Sequence, residues 1–108
     1  MGKALWVSRH PLDPLAEAEL RKLFMIDGVN SVDFSFSEDS EKAFGEFLEL
    51  VKDYGVVGGV FPAQLWFALL RNNTSLQGKV LFLVVSKVLP IENGVRKFAY
   101  DHIEWLKF

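Results

Sequence analysis

The chain contains no cysteine, and among its 108 residues there are only two histidines, four prolines and two methionines. Without thiols there is no disulfide framework, no cysteine-ligated metal and no cysteine nucleophile, and a reducing, cytoplasmic setting is expected. A basic excess is also missing. Twelve Lys and Arg stand against fourteen Asp and Glu, for a formal net charge of -2. General nucleic-acid binding normally draws on clustered positive charge, so general DNA binding is not expected, although a local basic patch is compatible with this balance. No apolar run approaches the roughly 20 residues needed to cross a bilayer, so no membrane role is expected. No secretion leader is expected either, because the first apolar run is short and meets Arg9-His10 at once. Asn72-Asn73-Thr74 matches a glycosylation sequon, but in that setting it reads as a polar turn.

Hydrophobic residues make up 50% of the chain and charged residues 24%, enough apolar material for one packed core. Ten Phe, three Trp and two Tyr are many for a single small domain. Some of that apolar surface is expected to be covered by a second copy, giving a homodimer.

Punctuation and periodicity divide the chain. Lys3 to Ser8 is a short apolar run, the pattern of a strand buried on both faces. Asp13 can cap a helix that has Pro14 in its first position and runs to about Phe24, with Leu12, Ala16, Leu20, Leu23 and Phe24 at helical spacing. Ser31 to Phe36 alternates apolar and polar residues and predicts a second, half-exposed strand. After caps offered by Ser37 to Ser40, the residues Phe44, Phe47, Leu48, Val51 and Tyr54 share one helical face. Glu41, Glu46, Glu49 and Asp53 lie away from it, as a solvated surface rather than a metal site.

Gly55 to Phe61 predicts a third strand, whose glycines permit close approach of backbone, helix or ligand. The third helix, Ala63 to Arg71, carries Leu65, Trp66, Phe67, Leu69 and Leu70 and has no properly polar side. Trp66, Phe67, Leu69 and Leu70 are therefore candidate interface residues. Lys79 to Ser86 predicts a fourth strand and Asn93-Gly94 a turn. The aromatic tail predicts an antiparallel fifth strand with a bulge or bend near Asp101-His102. His102, alone in that strand, reads as structural.

The order β-α-β-α-β-α-β-β implies a single α/β domain, Rossmann-like and three-layered, with a mostly parallel sheet and right-handed crossovers. The expected sheet order is 2-1-3-4 with the tail strand outside the fourth. In such sheets ligands bind beyond the carboxyl ends of the strands, where the order reverses. Those ends carry Ser8, Arg9 and His10, then Ser35 and Ser37, then Phe61, Pro62 and Gln64, then Ser86 and Lys87. Arg9 can grip a phosphate with its planar fork and Lys87 can add a point charge, so Ser8, Arg9, His10, Ser86 and Lys87 are the candidate ligand-binding set. The structural alternative is that Arg9 and His10 are ordinary loop residues and Lys87 a solvated strand end. There is no GxGxxG, no GxxxxGK[ST], no nucleophile elbow and no HExxH. A dinucleotide dehydrogenase or NTPase is not expected, nor is a cofactor or a metal.

The run Trp6-Val7-Ser8-Arg9-His10-Pro11, a strand ending in a Ser-Arg-His-Pro turn, resembles the opening of small CRISPR-associated Rossmann-like proteins, including single-domain ring nucleases. The resemblance covers this run and the general β/α order. It implies a cyclic oligoadenylate bound across a homodimer, with Ser8, Arg9 and His10 lining the site and Lys87 joining from the fourth strand. It also implies metal-independent cleavage, in which a ribose 2′-hydroxyl attacks the adjacent phosphorus and His10 serves as general acid or base. The rival reading from another class is a non-enzymatic interaction protein that uses the apolar third helix and the aromatic tail.

Overall fold

The computed structural model describes residues 2–108. Nine elements follow one another: β1 (Ala4–Val7), α1 (Pro14–Phe24), β2 (Val29–Val32), α2 (Ser40–Val51), β3 (Val56–Gly59), α3 (Ala63–Arg71), a 3₁₀ turn (Asn73–Leu76), β4 (Val80–Val88) and β5 (Phe98–Lys107). The helix boundaries have local causes. Asp13 caps α1 by accepting from the Leu15 amide at 2.8 Å, with Pro14 in the first position. Asp39 caps α2 through the Lys42 amide at 2.9 Å. The carboxyl end of α2 has no basic residue of its own, and Lys79, arriving at β4, supplies one: its Nζ donates to the Val51 and Tyr54 carbonyls at 3.0 and 2.6 Å.

The five strands form one sheet in the order β2-β1-β3-β4-β5, parallel except for the β4–β5 pair. This is the Rossmann-like, three-layer α/β arrangement expected, including the position of the tail strand. Alternation along the strands separates two cores. Trp6 and Phe82 stack on one face, with ring centroids 5.9 Å apart, and pack with Leu20 of α1. Leu5, Val7, Val57 and Leu81 point the other way into the larger core under α2 and α3, with Phe47, Leu65 and Leu69. Among the described residues, no helix is long and apolar enough to cross a membrane.

Three differences from the sequence reading have physical causes. The second strand runs Val29–Val32 rather than Ser31 to Phe36. Its only strand neighbour, β1, ends at Val7, and the last bond between them runs from the Ser8 amide to the Val32 carbonyl at 3.0 Å. Beyond it the chain leaves the sheet, and Phe34 and Phe36 fold over the α2–α3 core, where Phe36 meets Phe47 and Phe61.

The second difference concerns α3. Leu65, Ala68 and Leu69 form its inner face, so Leu69 is fully buried within the chain and is corrected from interface to core residue. Phe67 and Leu70 do face solvent, 67% and 59% exposed, and Trp66 is half-buried.

The third is length. β4 and β5 run on well past the other strands as a two-stranded ribbon, closed at Asn93-Gly94, both residues in the positive-φ conformation of a tight hairpin turn. Val85 faces His102 and Ser86 faces Tyr100, which leaves Asp101 as the extra residue of a bulge where the sequence suggested one. The ribbon stretches the molecule to 45 × 34 × 20 Å. The Cα radius of gyration is 14.7 Å, against about 13 Å for a compact chain of this length.

Candidate functional site

The site is built on the turn that leaves β1. Trp6 is held flat by Phe82 beneath it, and its indole Nε1 donates to the His10 carbonyl at 2.8 Å. The Ser8 hydroxyl accepts from the His10 amide at 3.1 Å, a short side-chain-to-backbone turn that leaves the Ser8 O–H proton free to donate outward. The two bonds draw Ser8, Arg9 and His10 into a tight bend with the Arg9 and His10 side chains in solvent.

The opposite wall comes from β3. A methyl group on Gly59 would lie 3.0 Å from the Val7 carbonyl carbon and still closer to its oxygen, and the Val60 amide donates to that same oxygen at 3.1 Å. Gly59 therefore serves close backbone approach between β1 and β3. Gly58 does the same for the Phe82 ring, whose atoms occupy the place of a side chain there. Neither glycine makes room for a ligand.

Where β1, β2 and β3 end, Ser8, Arg9 and His10 line a hollow of about 350 Å³ together with Val7, Asp33, Phe34, Ser35 and Val60. A second depression of about 320 Å³ adjoins it on the β2 side and shares Ser8, Arg9, His10 and Asp33. This is the place where strand order reverses, the expected binding position of an open α/β sheet. Three of the five predicted ligand-binding residues are thus gathered at one rim. Ser35 joins them, while Ser37 and Gln64 instead tie loops together. The Ser37 amide donates to Glu46 Oε1 at 2.8 Å, and Gln64 Nε2 donates to the Ser37 carbonyl at 3.2 Å.

Ser86 and Lys87 are not at that rim. The last β3–β4 pair is Gly58 with Phe82, so Lys87, five residues on, stands about 16 Å further along the ribbon at the usual strand rise. The expectation of one shared basic hollow is corrected accordingly: Ser86 and Lys87 sit on the ribbon, on opposite faces because neighbours in a strand alternate. A strand's length beyond its partners is set by pairing with β5, and no local pattern in Lys79 to Ser86 reports it.

Asp33 is the residue the sequence reading passed over. Val7 pairs with Val32, so Asp33 follows directly beside Ser8. Its position just after an apolar β2 residue was the available signal. Among the described residues it makes no ion pair with Arg9. No three metal-ligating side chains gather anywhere among the described residues. His102 lies elsewhere, exposed on β5 between Glu104 at 2.8 Å and Asp101 at 3.2 Å, and hydrogen bonds to Glu104 and then Asp101 raise its pKa above the ordinary imidazole value.

A second surface is apolar. Trp66, Leu83, Trp105 and Leu106 border a small groove of about 150 Å³ between α3 and the β4–β5 pair. Phe67 and Leu70 extend the exposed apolar area along the helix. Neither protein-family models nor curated protein sequences match the chain.

Proposed function

We propose that the protein binds a phosphorylated ligand, with a cyclic oligonucleotide such as cyclic oligoadenylate as the leading candidate, in the hollow at the carboxyl ends of β1, β2 and β3. The observation that carries this reading is the gathering of Ser8, Arg9 and His10 around one hollow at the switch point of the sheet. The guanidinium of Arg9 offers paired donors that match a phosphate, and the free O–H of Ser8 offers another. Lys87 stands too far along the ribbon to join a mononucleotide. It has no part in the hollow.

Such a ligand can also be cleaved here without a protein nucleophile. The ribose 2′-oxygen forms a bond to the neighbouring phosphorus as the P–O5′ bond breaks, leaving a 2′,3′-cyclic phosphate and a 5′-hydroxyl. The proton lost by the 2′-hydroxyl passes to a base, His10 being the candidate, and a proton returns to the departing 5′-oxygen. Arg9 offsets the charge that builds on the phosphoryl oxygens.

Thermal shift and calorimetric titration against a panel of nucleotides and cyclic oligoadenylates test the reading. Arg9→Ala is expected to weaken binding by about 10- to 100-fold, the worth of a charge-assisted hydrogen bond, with the melting temperature unchanged. No response from the wild-type protein to any member of the panel refutes it. A second reading, a non-enzymatic protein-interaction module, is favoured by the exposure of Phe67 and Leu70 beside the apolar groove.

A further inference from the structure

We infer that the outer edge of β5 pairs antiparallel with the same edge of a second copy of the chain, about a two-fold axis at Ile103. This contact does not depend on what the hollow binds.

The sheet ends in a long strand with one open side. β5 runs ten residues, Phe98–Lys107, and its only strand neighbour is β4. The strand at the opposite edge, β2, has four residues. The last bonds of β5 show which backbone groups β4 uses. The Phe108 amide donates to the Lys79 carbonyl at 2.9 Å, and the Phe108 carbonyl accepts from the Gly78 amide at 2.7 Å. Backbone groups of successive strand residues turn to alternate edges, so those of Leu106, Glu104 and His102 also turn towards β4. Those of Ile103, Trp105 and Lys107 point outward, where among the described residues no strand meets them. Proteins usually blunt such an edge with proline, short length or a cover. β5 has no proline and is long, and Phe98, Trp105 and Leu106 are exposed along it.

Charge selects the occupant and the register. Two identical strands paired antiparallel are two-fold symmetric by construction and close as a dimer. His102 and Glu104 share one face of β5, 2.8 Å apart. Outward groups must meet outward groups, and three registers use the stretch beyond the bulge. Centred on Glu104, the pairing sets two carboxylates against each other. Centred on Trp105, it sets Glu104 against an apolar Leu106 of the partner subunit. Centred on Ile103, it sets each Glu104 across from His102 of the partner subunit, and the four side chains alternate in sign around the axis. Directly opposed unlike charges stabilise a strand pair, and like charges oppose it. The hydrogen bonds to Glu104 and Asp101 already favour the charged form of His102.

The chain has no cysteine, so a single introduced thiol can link only to its counterpart in another copy. Directly opposed residues have Cα atoms about 4.5–5.5 Å apart, within reach of a disulfide. Ile103→Cys is therefore expected to form covalent dimers on mild oxidation. Trp105→Cys is expected to stay unlinked, because its counterpart lies about 13 Å along the pair at the usual strand rise. Light scattering across a dilution series of the whole chain is expected to show a dimer. His102→Glu, which opposes carboxylates at both contacts, is expected to weaken it by about tenfold or more, and so is the double variant His102→Lys with Glu104→Lys. Both positions are exposed, so these variants are expected to fold. Mixed together, the two are expected to regain a dimer, because every contact is again between unlike charges. Phe67→Glu, on α3, is expected to leave the mass unchanged. A wild-type protein that is monomeric throughout overturns the inference, as does a dimer that Phe67→Glu dissociates. Linking through Trp105→Cys instead of Ile103→Cys, or no mixed dimer from the two charge variants, overturns it as well.

Discussion

Adding one methyl group at each of two glycines should move stability in opposite directions. In Gly59→Ala the new Cβ meets the Val7 backbone: it lies 3.0 Å from the carbonyl carbon, 3.1 Å from Cα and inside the contact distance of the oxygen. Backbone cannot turn aside as a side-chain tip can, so β3 has to back away from β1. That movement also stretches the 3.1 Å bond from the Val60 amide to the Val7 oxygen. Overpacking of this kind costs about 1–3 kcal/mol, and a buried backbone bond left unmade costs about 1–3 more. A loss of about 3 kcal/mol or more is expected, from a total of about 5–15. At this chain length that lowers the melting temperature by about 12 °C or more. Gly45 is the control. It lies within α2, is exposed, and a Cβ there meets nothing within 4 Å. Gly45→Ala is expected to stabilise by about 0.5–1 kcal/mol through helix propensity alone. Scanning calorimetry with a urea melt measures both. A Gly59→Ala protein within about 1 kcal/mol of wild type would refute the reasoning, and with it the view that Gly59 serves strand packing rather than ligand access.

Two further outcomes follow from named contacts. Trp6→Phe keeps the stack on Phe82 but removes the 2.8 Å bond to the His10 carbonyl; it is expected to cost about 1 kcal/mol in a urea melt and to weaken cyclic oligoadenylate binding several-fold by loosening the turn, whereas unchanged affinity would separate Trp6 from the site. If the apolar side of α3 forms a homodimer, Phe67→Glu, at a position 67% exposed in the single chain, is expected to convert the dimer to monomer on light scattering with no loss of melting temperature beyond that of dissociation. An unchanged mass refutes that interface.

Much of the architecture was legible from local chemistry. Asp13 with Pro14 marks the start of α1 in sequence because a carboxylate acceptor and a residue with no amide to satisfy suit a helix's first turn. The bounds of α3 and the hairpin turn at Asn93-Gly94 rest on similarly local signals. The sheet order follows from the alternation of strand and helix, since right-handed crossovers leave few arrangements. In the site, Ser8, Arg9 and His10 were legible because they directly follow a buried apolar strand.

Other features have no local signature. The alternation through Val32, Phe34 and Phe36 suits a strand, yet a strand needs a partner along its length, and β1 stops first. The apolar residues of α3 look alike in sequence; only the placement of the helix over β3 and β4 decides that Leu69 is core while Phe67 and Leu70 face water. The separation of Lys87 from Arg9 depends on how far β4 and β5 pair beyond the sheet.

By itself, then, the sequence determined the element types, their order and the rim from which Arg9 and His10 project, because capping, periodicity and turn conformation are properties of neighbouring residues. Tertiary structure alone decided which residues share a hollow. It set Asp33 beside Ser8 and carried Lys87 away from both, because strand register and strand overhang are fixed by hydrogen bonds between segments far apart in the chain.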